Sequence, residues 1–220
     1  MNIALIVFAG SGTRIHSEVP KQFVKVNGIE MVCYTIKRFQ EHPLIDEIVL
    51  VTSKDYLPLV SSFKDKFCFT KVKHIAEGGA TRQESVRKGL EATNYHDEDL
   101  ILIHDGDRPL VSNLIINQCL FHLGQYDAVC PYILSKDALQ EVSNSGRKIK
   151  LDNEDADIQT PQGFKYGLIK RQHSLNVNNA VSDDIALIEG VAEVKYFVGD
   201  KDNFKVTEDK DLEYLKTRIK

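Results

Sequence analysis

Through the first 134 residues, short β-branched apolar runs alternate with stretches of helical period, and this alternation limits the fold more tightly than any other feature. A strand covered on both faces reads as a near-continuous apolar run, whereas an amphipathic helix repeats every 3.6 residues. Residues 3–8, 47–52, 71–75, 100–104 and 128–134 fit the first pattern. Residues 31–40, 57–67, 82–93 and a segment from the capping Ser112 through Leu123 fit the second. Strands joined by helices pair in parallel, so the pattern predicts an α/β fold with a mostly parallel sheet and helices on both faces. Ligands of such sheets sit beyond the carboxyl ends of the strands.

The alternation stops at residues 136–157, which are polar and carry the turn signal Asn144-Ser145-Gly146. A protruding hairpin or arm, reaching another subunit, is the expectation there. Regular structure resumes over 164–175 and 183–189, then a strand over 193–198 and a closing helix from Glu208. With no repeat, low-complexity tract or linker, the chain reads as a single domain over 1–220.

Composition narrows the class of function. The chain is 42% hydrophobic and 27% charged over 220 residues, enough for one full core. A net charge of −4 argues against a polyanion-binding surface, so no nucleic acid partner is expected. Cys33, Cys68, Cys119 and Cys130 form no C-x-x-C pair and lie in apolar stretches, which suits buried free thiols in a reducing cytoplasm. There is no signal-like N-terminus and no run of membrane-span length, so a cytoplasmic protein without a membrane partner is expected.

Five segments carry chemistry. Ala9-Gly10-Ser11-Gly12-Thr13-Arg14 follows the first strand, where glycines let backbone N–H groups approach phosphate and Arg14 adds charge. It is neither a Walker loop nor a dinucleotide fingerprint, and by itself reads equally as a structural turn or a phosphate cradle. Pro20-Lys21-Gln22-Phe23 places a lysine on the same loop system, where it either meets a polyphosphate or is a solvated surface charge. Gly78-Gly79-Ala80-Thr81-Arg82-Gln83-Glu84-Ser85 sets Arg82 and Ser85 one helical turn apart, to read a base edge or to hold the loop. His104-Asp105-Gly106-Asp107-Arg108-Pro109 puts Asp105 at the end of a strand, as suits an oxygen-liganded Mg²⁺, with Asp107 free to pair with Arg108. Asp200-Lys201-Asp202-Asn203-Phe204-Lys205-Val206-Thr207 offers a second carboxylate and a lysine, or is simply a polar loop. His16, His42, His74, His96, His122 and His173 have no paired spacing and read as surface or core residues.

In this order, the segments resemble the cytidylyltransferases that act on methylerythritol phosphate and ribitol phosphate. That family shows AGxGxR, PKQ, GGxxRxxS, HDxxRP, TPQxF and NxKVTxxxDL, and Thr160-Pro161-Gln162-Gly163-Phe164 and Asn203 to Thr207 with Asp211-Leu212 complete the set here. The match spans nearly the whole chain. The resemblance implies a Rossmann-like nucleotidyltransferase fold with a protruding arm, usually a homodimer formed through it. It also implies a Mg²⁺-dependent reaction of CTP with an alcohol phosphate, giving a CDP-alcohol and pyrophosphate. By motif position, Arg14, Lys21 and Lys205 would be catalytic, with Arg14 and Lys21 stabilising the pentavalent transition state and Lys205 touching phosphate. Ala9, Gly10, Ser11, Gly12, Gly79, Ala80, Arg82, Ser85 and Gly106 would surround CTP. Asp105 and Asp202 would hold the metal. The acceptor would meet Thr160 and, on the arm, Lys136 and Asp137.

Two departures bear on the acceptor. Asp107 occupies an alanine-like position of the family. The arm has Lys136-Asp137-Ala138 and Lys150-Leu151-Asp152 where methylerythritol enzymes carry R-D-T and V-D-R, losing a threonine hydroxyl and an arginine fork. The arm points away from a standard methylerythritol enzyme, and Pro20-Lys21-Gln22-Phe23 with Asn27-Gly28 looks closer to the ribitol branch, so ribitol 5-phosphate or a related polyol phosphate destined for a surface polysaccharide is favoured. Methylerythritol phosphate cytidylylation in isoprenoid synthesis is the alternative. A nicotinamide dehydrogenase lacks support because Ile15 takes the third glycine position, and intact Arg14, Lys21, Asp105 and Lys205 argue against a degenerate regulatory module.

Overall fold

The computed structural model describes residues 1–10, 15–134, 148–151, 154–177 and 181–219. The first half contains β1 (Asn2–Val7), β2 (Lys25–Val26), β3 (Ile29–Glu30), α1 (Met31–Glu41), β4 (Glu47–Thr52), α2 (Leu57–Lys66), β5 (Val72–Glu77) and α3 (Arg82–Glu91). The second half contains β6 (Leu100–Asp105), α4 (Asn113–Leu123), β7 (Ala128–Leu134), β8 (Lys148–Leu151), β9 (Glu154–Ile158), β10 (Gln162–Lys165), α5 (Tyr166–Leu175), β11 (Val194–Val198) and α6 (Asp209–Arg218).

One sheet runs β5-β4-β1-β6-β10-β7-β9-β8, with β11 added on β7. β5, β4, β1 and β6 are mutually parallel, as the alternation predicts. Period two decides what each strand buries. In β1, Ala4 and Ile6 join one core while Ile3, Leu5 and Val7 join the other. In β4, Ile48 and Leu50 face the first core, and Val49 and Val51 the second. α1, α2 and α4 close the first face through residues such as Ile36, Phe63 and Ile116. α3 and α5 close the second through Val86, Leu90, Tyr166 and Ile169. Each such apolar side chain contributes about 1.5–3 kcal/mol by leaving water. The architecture is Rossmann-like α/β.

A third cluster ties the chain's C-terminal segment to its N-terminal third. Val206, Leu212 and Leu215 pack with Ile15, Val26 and Met31.

Three readings change. Residues 162–165 form β10, antiparallel to both β6 and β7, before α5 begins at Tyr166. Residues 183–189 contain only one 3-10 turn, Ile185–Leu187. Cys68 is exposed, because it follows α2 in a left-handed turn (φ 53°), while Cys33, Cys119 and Cys130 are buried free thiols. Of the expected arm, β8 and β9 form an antiparallel pair, and β9 continues onto β7. Among the described residues no helix is long and apolar enough to cross a membrane.

Candidate active site

The parallel half of the sheet ends on one rim. Backbone N–H groups just past three strands fix it: Phe8 donates to Val51 at 2.9 Å, Gly106 to Val7 at 2.9 Å and Gly78 to Thr52 at 2.7 Å. Space is tight there. A Cβ on Gly78 would lie 2.4 Å from the Ala9 Cβ, and one on Gly106 would lie 2.7 Å from the Phe8 Cβ. Glycine at both positions is therefore a packing requirement, and the loops nest directly against each other.

A cavity of about 510 Å³ opens on this rim. Ala9 and Gly10 line it after β1, and Lys21 and Gln22 come from a short 3-10 turn started by Pro20. Gly79, Ala80, Arg82 and Ser85 come from the entry to α3, Asp105 and Asp107 from the end of β6, and Lys205 and Thr207 from the segment before α6. Most of the sequence-predicted site thus converges. Gly106 stands behind the wall against Phe8. Ser11, Gly12 and Arg14, like Lys136 and Asp137, lie outside the described residues.

The electrostatic centre is Asp105. Its Oδ1 accepts from Arg82 Nε at 2.9 Å, and its Oδ2 accepts from Lys205 Nζ at 3.0 Å, with Arg108 Nε at 3.7 Å. Burial disfavours the charged carboxylate, but Lys205, Arg82 and Arg108 outweigh it and hold its carboxyl well below the usual range. Arg82 extends the network inward. Its NH1 donates to Asp184 Oδ2 at 2.8 Å, and Asp184 Oδ1 lies 2.9 Å from His173 Nε2. Burial opposes the Asp184 charge too, yet Arg82 and His173 keep its carboxyl below the ordinary range.

The two predicted base readers, Arg82 and Ser85, line the cavity and also hold its loop. The Ser85 hydroxyl accepts from Gly79 N at 2.9 Å and donates to Thr81 O at 2.8 Å. Arg82 is committed to two aspartates. Thr160, expected at the acceptor, spends its hydroxyl inside: it accepts from Asp105 N at 3.1 Å and pairs with His104 Nδ1 at 3.0 Å. His104 Nε2 lies 3.1 Å from Arg108 O, which requires the Nε2–H tautomer and makes Nδ1 the acceptor. Burial pushes this imidazole's pKa down to about 4, so it is neutral at pH 7. Thr160 still lines a smaller cavity of about 40 Å³ that shares Arg82, Asp105 and Lys205 with the first.

Asp202 does not line either cavity and pairs with Arg218 of α6. Asp107, expected to meet Arg108, lies with its Oδ2 2.6 Å from Lys21 Nζ, while Arg108 NH1 donates to Asn203 O at 2.8 Å. Sequence reading missed three contributors. Gln22 is buried and donates to Phe8 O at 2.8 Å and Gly10 O at 2.7 Å, clamping the glycine loop. Asp184 and His173 anchor Arg82. Their distance in sequence from Arg82 gave no local signal, although Gln22 sits beside the lysine that drew attention.

A cavity rimmed by backbone turns, with lysines and an ionised aspartate facing in, suits a polyphosphate and the neutralisation of charge on phosphorus. Comparison with known proteins agrees. Residues 2–219 match the family model of 2-C-methyl-D-erythritol 4-phosphate cytidylyltransferase. The enzyme of that name from Clostridium novyi (strain NT) is 39% identical over 217 residues, covering 96% of this chain and 93% of the relative. That from Clostridium perfringens (strain SM101 / Type A) is 38% identical over 216 residues, covering 96% and 95%. Among solved structures, 4-diphosphocytidyl-2C-methyl-D-erythritol synthase from Anaerococcus prevotii DSM 20548 superposes with a TM-score of 0.79 at 28% identity, covering 99% of this chain and 95% of the other. The 2-C-methyl-D-erythritol 4-phosphate cytidylyltransferase of Thermus thermophilus gives 0.76 at 25% identity over the full length of both chains.

Proposed function

Because this chain belongs to the 2-C-methyl-D-erythritol 4-phosphate cytidylyltransferase family, and so is a nucleotidyltransferase, we propose that its acceptor is 2-C-methyl-D-erythritol 4-phosphate itself. The preference for ribitol 5-phosphate drawn from the arm is withdrawn. It rested on arm positions whose side chains lie outside the described residues and on the likeness of residues 20–28 to the ribitol branch, whereas the matched family and the relatives carry the methylerythritol name. The observation that supports the chemistry is the convergence of Lys21, Asp105 and Lys205 on one cavity at the carboxyl ends of β1 and β6.

In this reading the triphosphate of CTP lies along Ala9, Gly10 and the α3 entry. An acceptor phosphate oxygen attacks the α-phosphorus in line and pyrophosphate leaves. The attacking oxygen is already anionic at neutral pH, so no general base is needed. Lys21 neutralises charge developing on the α-phosphoryl oxygens, with Arg14 joining it by motif position. Lys205 faces the acceptor phosphate from the wall shared by the two cavities.

Asp105 suits a magnesium ion: it is an ionised oxygen donor facing the cavity. A magnesium ion at a nucleotide commonly takes one or two carboxylates and completes its shell with phosphate and water. Asp105 would hold it, and when bound it would supply further neutralisation of the triphosphate. Homodimerisation through the arm belongs to the same proposal.

Purified protein with CTP and Mg²⁺ should release pyrophosphate with 2-C-methyl-D-erythritol 4-phosphate and far less with ribitol 5-phosphate. Turnover on ribitol 5-phosphate alone would overturn the acceptor and leave cytidylyl transfer standing.

A further inference from the structure

Lys21 is not free in its cavity. Its ammonium donates to Val206 O at 2.7 Å and lies 2.6 Å from Asp107 Oδ2, and both side chains are mostly buried. Val206 holds the two partners at once, since its own N–H donates to Asp107 O at 2.9 Å. Lys21, Val206 and Asp107 thus form a closed triangle across three separate chain segments. An ammonium has three donors. Two are directed at fixed acceptors, which leaves one for a ligand in the cavity that Lys21 and Asp107 both line.

Asp107 makes this arrangement costly in one respect. It brings a carboxylate to the place where a triphosphate would arrive, and it spends part of the Lys21 charge before any nucleotide binds. Arg108 and Lys205 are close enough to offset Asp105, and Lys205 reaches Asp107 Oδ1 only at 3.9 Å. That oxygen is buried and has no hydrogen-bond partner among the described residues.

We propose that Asp107 is a positioning residue for Lys21, fixing the ammonium so that its charge acts on the transition state more than on bound CTP. The inference rests on the reading of Lys21 given above. Pairing with Asp107 weakens the attraction of Lys21 for ground-state phosphate. A fixed ammonium still meets charge that builds on the α-phosphoryl group without reorganising.

Asp107→Ala should therefore improve CTP binding while slowing the chemical step. CTP binding, measured by calorimetry with MgCl₂ and no acceptor, should tighten by about threefold. The single-turnover rate should fall by about tenfold to a hundredfold, because a loosened ammonium is misplaced. In a Lys21→Ala background, Asp107→Ala should cost no further rate, since its effect passes through Lys21. Asp107→Asn keeps an oxygen acceptor and should recover part of the rate lost in Asp107→Ala while still tightening CTP. It also carries the test if the alanine variant does not fold. Asp107→Ala with both constants unchanged, or with weaker CTP binding and an intact rate, would overturn the inference. So would an additive rate loss in the double variant. A Lys21→Ala enzyme with undiminished rate would instead remove the role of Lys21, and the inference with it.

Discussion

Lys21 meets two fixed acceptors before any ligand arrives, so its contribution should appear in rate more than in affinity. Lys21→Ala is expected to lower kcat by about a hundredfold or more while CTP affinity changes far less. Equal losses in both would contradict a transition-state role. His104 makes a different prediction. Its folded-state pKa of about 4 lies below the ordinary value of 6.5, so between those values the unfolded chain binds a proton that the folded chain refuses. Stability should fall as pH falls through that window and be fully regained above it. Urea midpoints at pH 7.5 and pH 5 should show the loss in the parent and a shallower dependence in His104→Gln. Protonation would also put an N–H where Nδ1 now accepts from Thr160, loosening the hydroxyl that holds Asp105 N.

The α3 entry shows how an element is written locally and used remotely. Thr81 caps the helix by accepting from Glu84 N at 3.1 Å, and Glu84 Oε2 returns to accept from Ala80 N at 2.8 Å. Thr81→Ala should cost about 1 kcal/mol in chemical denaturation and leave the sheet intact. A larger loss would mean that the cap supports more than its helix. Signals of this kind, read over a few residues, are why β1, β4, β6 and β7 and the helices between them were legible in advance. β10 was not, because Gln162-Gly163-Phe164-Lys165 has two polar ends and its central glycine is there for a neighbour: a Cβ would lie 2.7 Å from Val129 Cγ2. The site divides the same way. Its loops and charged residues announced themselves, but the pairing did not. Asp107 was matched to the adjacent Arg108 and Asp202 was assigned to the metal, whereas the fold sends one to Lys21 and the other to Arg218. Contacts between residues far apart in the chain carry no period to read.

At the scale of the whole molecule, the third apolar cluster decides whether the site is complete. Leu212 and Leu215 of α6 hold Val206 against Ile15, Val26 and Met31, and Val206 in turn holds Lys21 and Asp107. Leu215→Ala should remove about 2–5 kcal/mol of stability through the cavity it leaves. It should also weaken CTP binding, although Leu215 lines neither cavity. Calorimetry under conditions where the variant remains folded would check this, and unchanged affinity would show that the cluster supports stability alone.

The segment carrying Lys205 and Val206 has one more consequence, for the chain as it is made. A nascent protein emerges from the ribosome N-terminus first and its early elements fold before its late ones. β1 and β6, with Asp105 at the end of β6, can form while residues 205 and 206 are still inside the exit tunnel. Until those last residues arrive, the half-built pocket lacks the ammonium that faces Asp105 and the carbonyl that anchors Lys21. Synthesis halted before that point would leave a site without two of its fixed groups, so activity reports that residues 205 and 206 have been made and have folded into place.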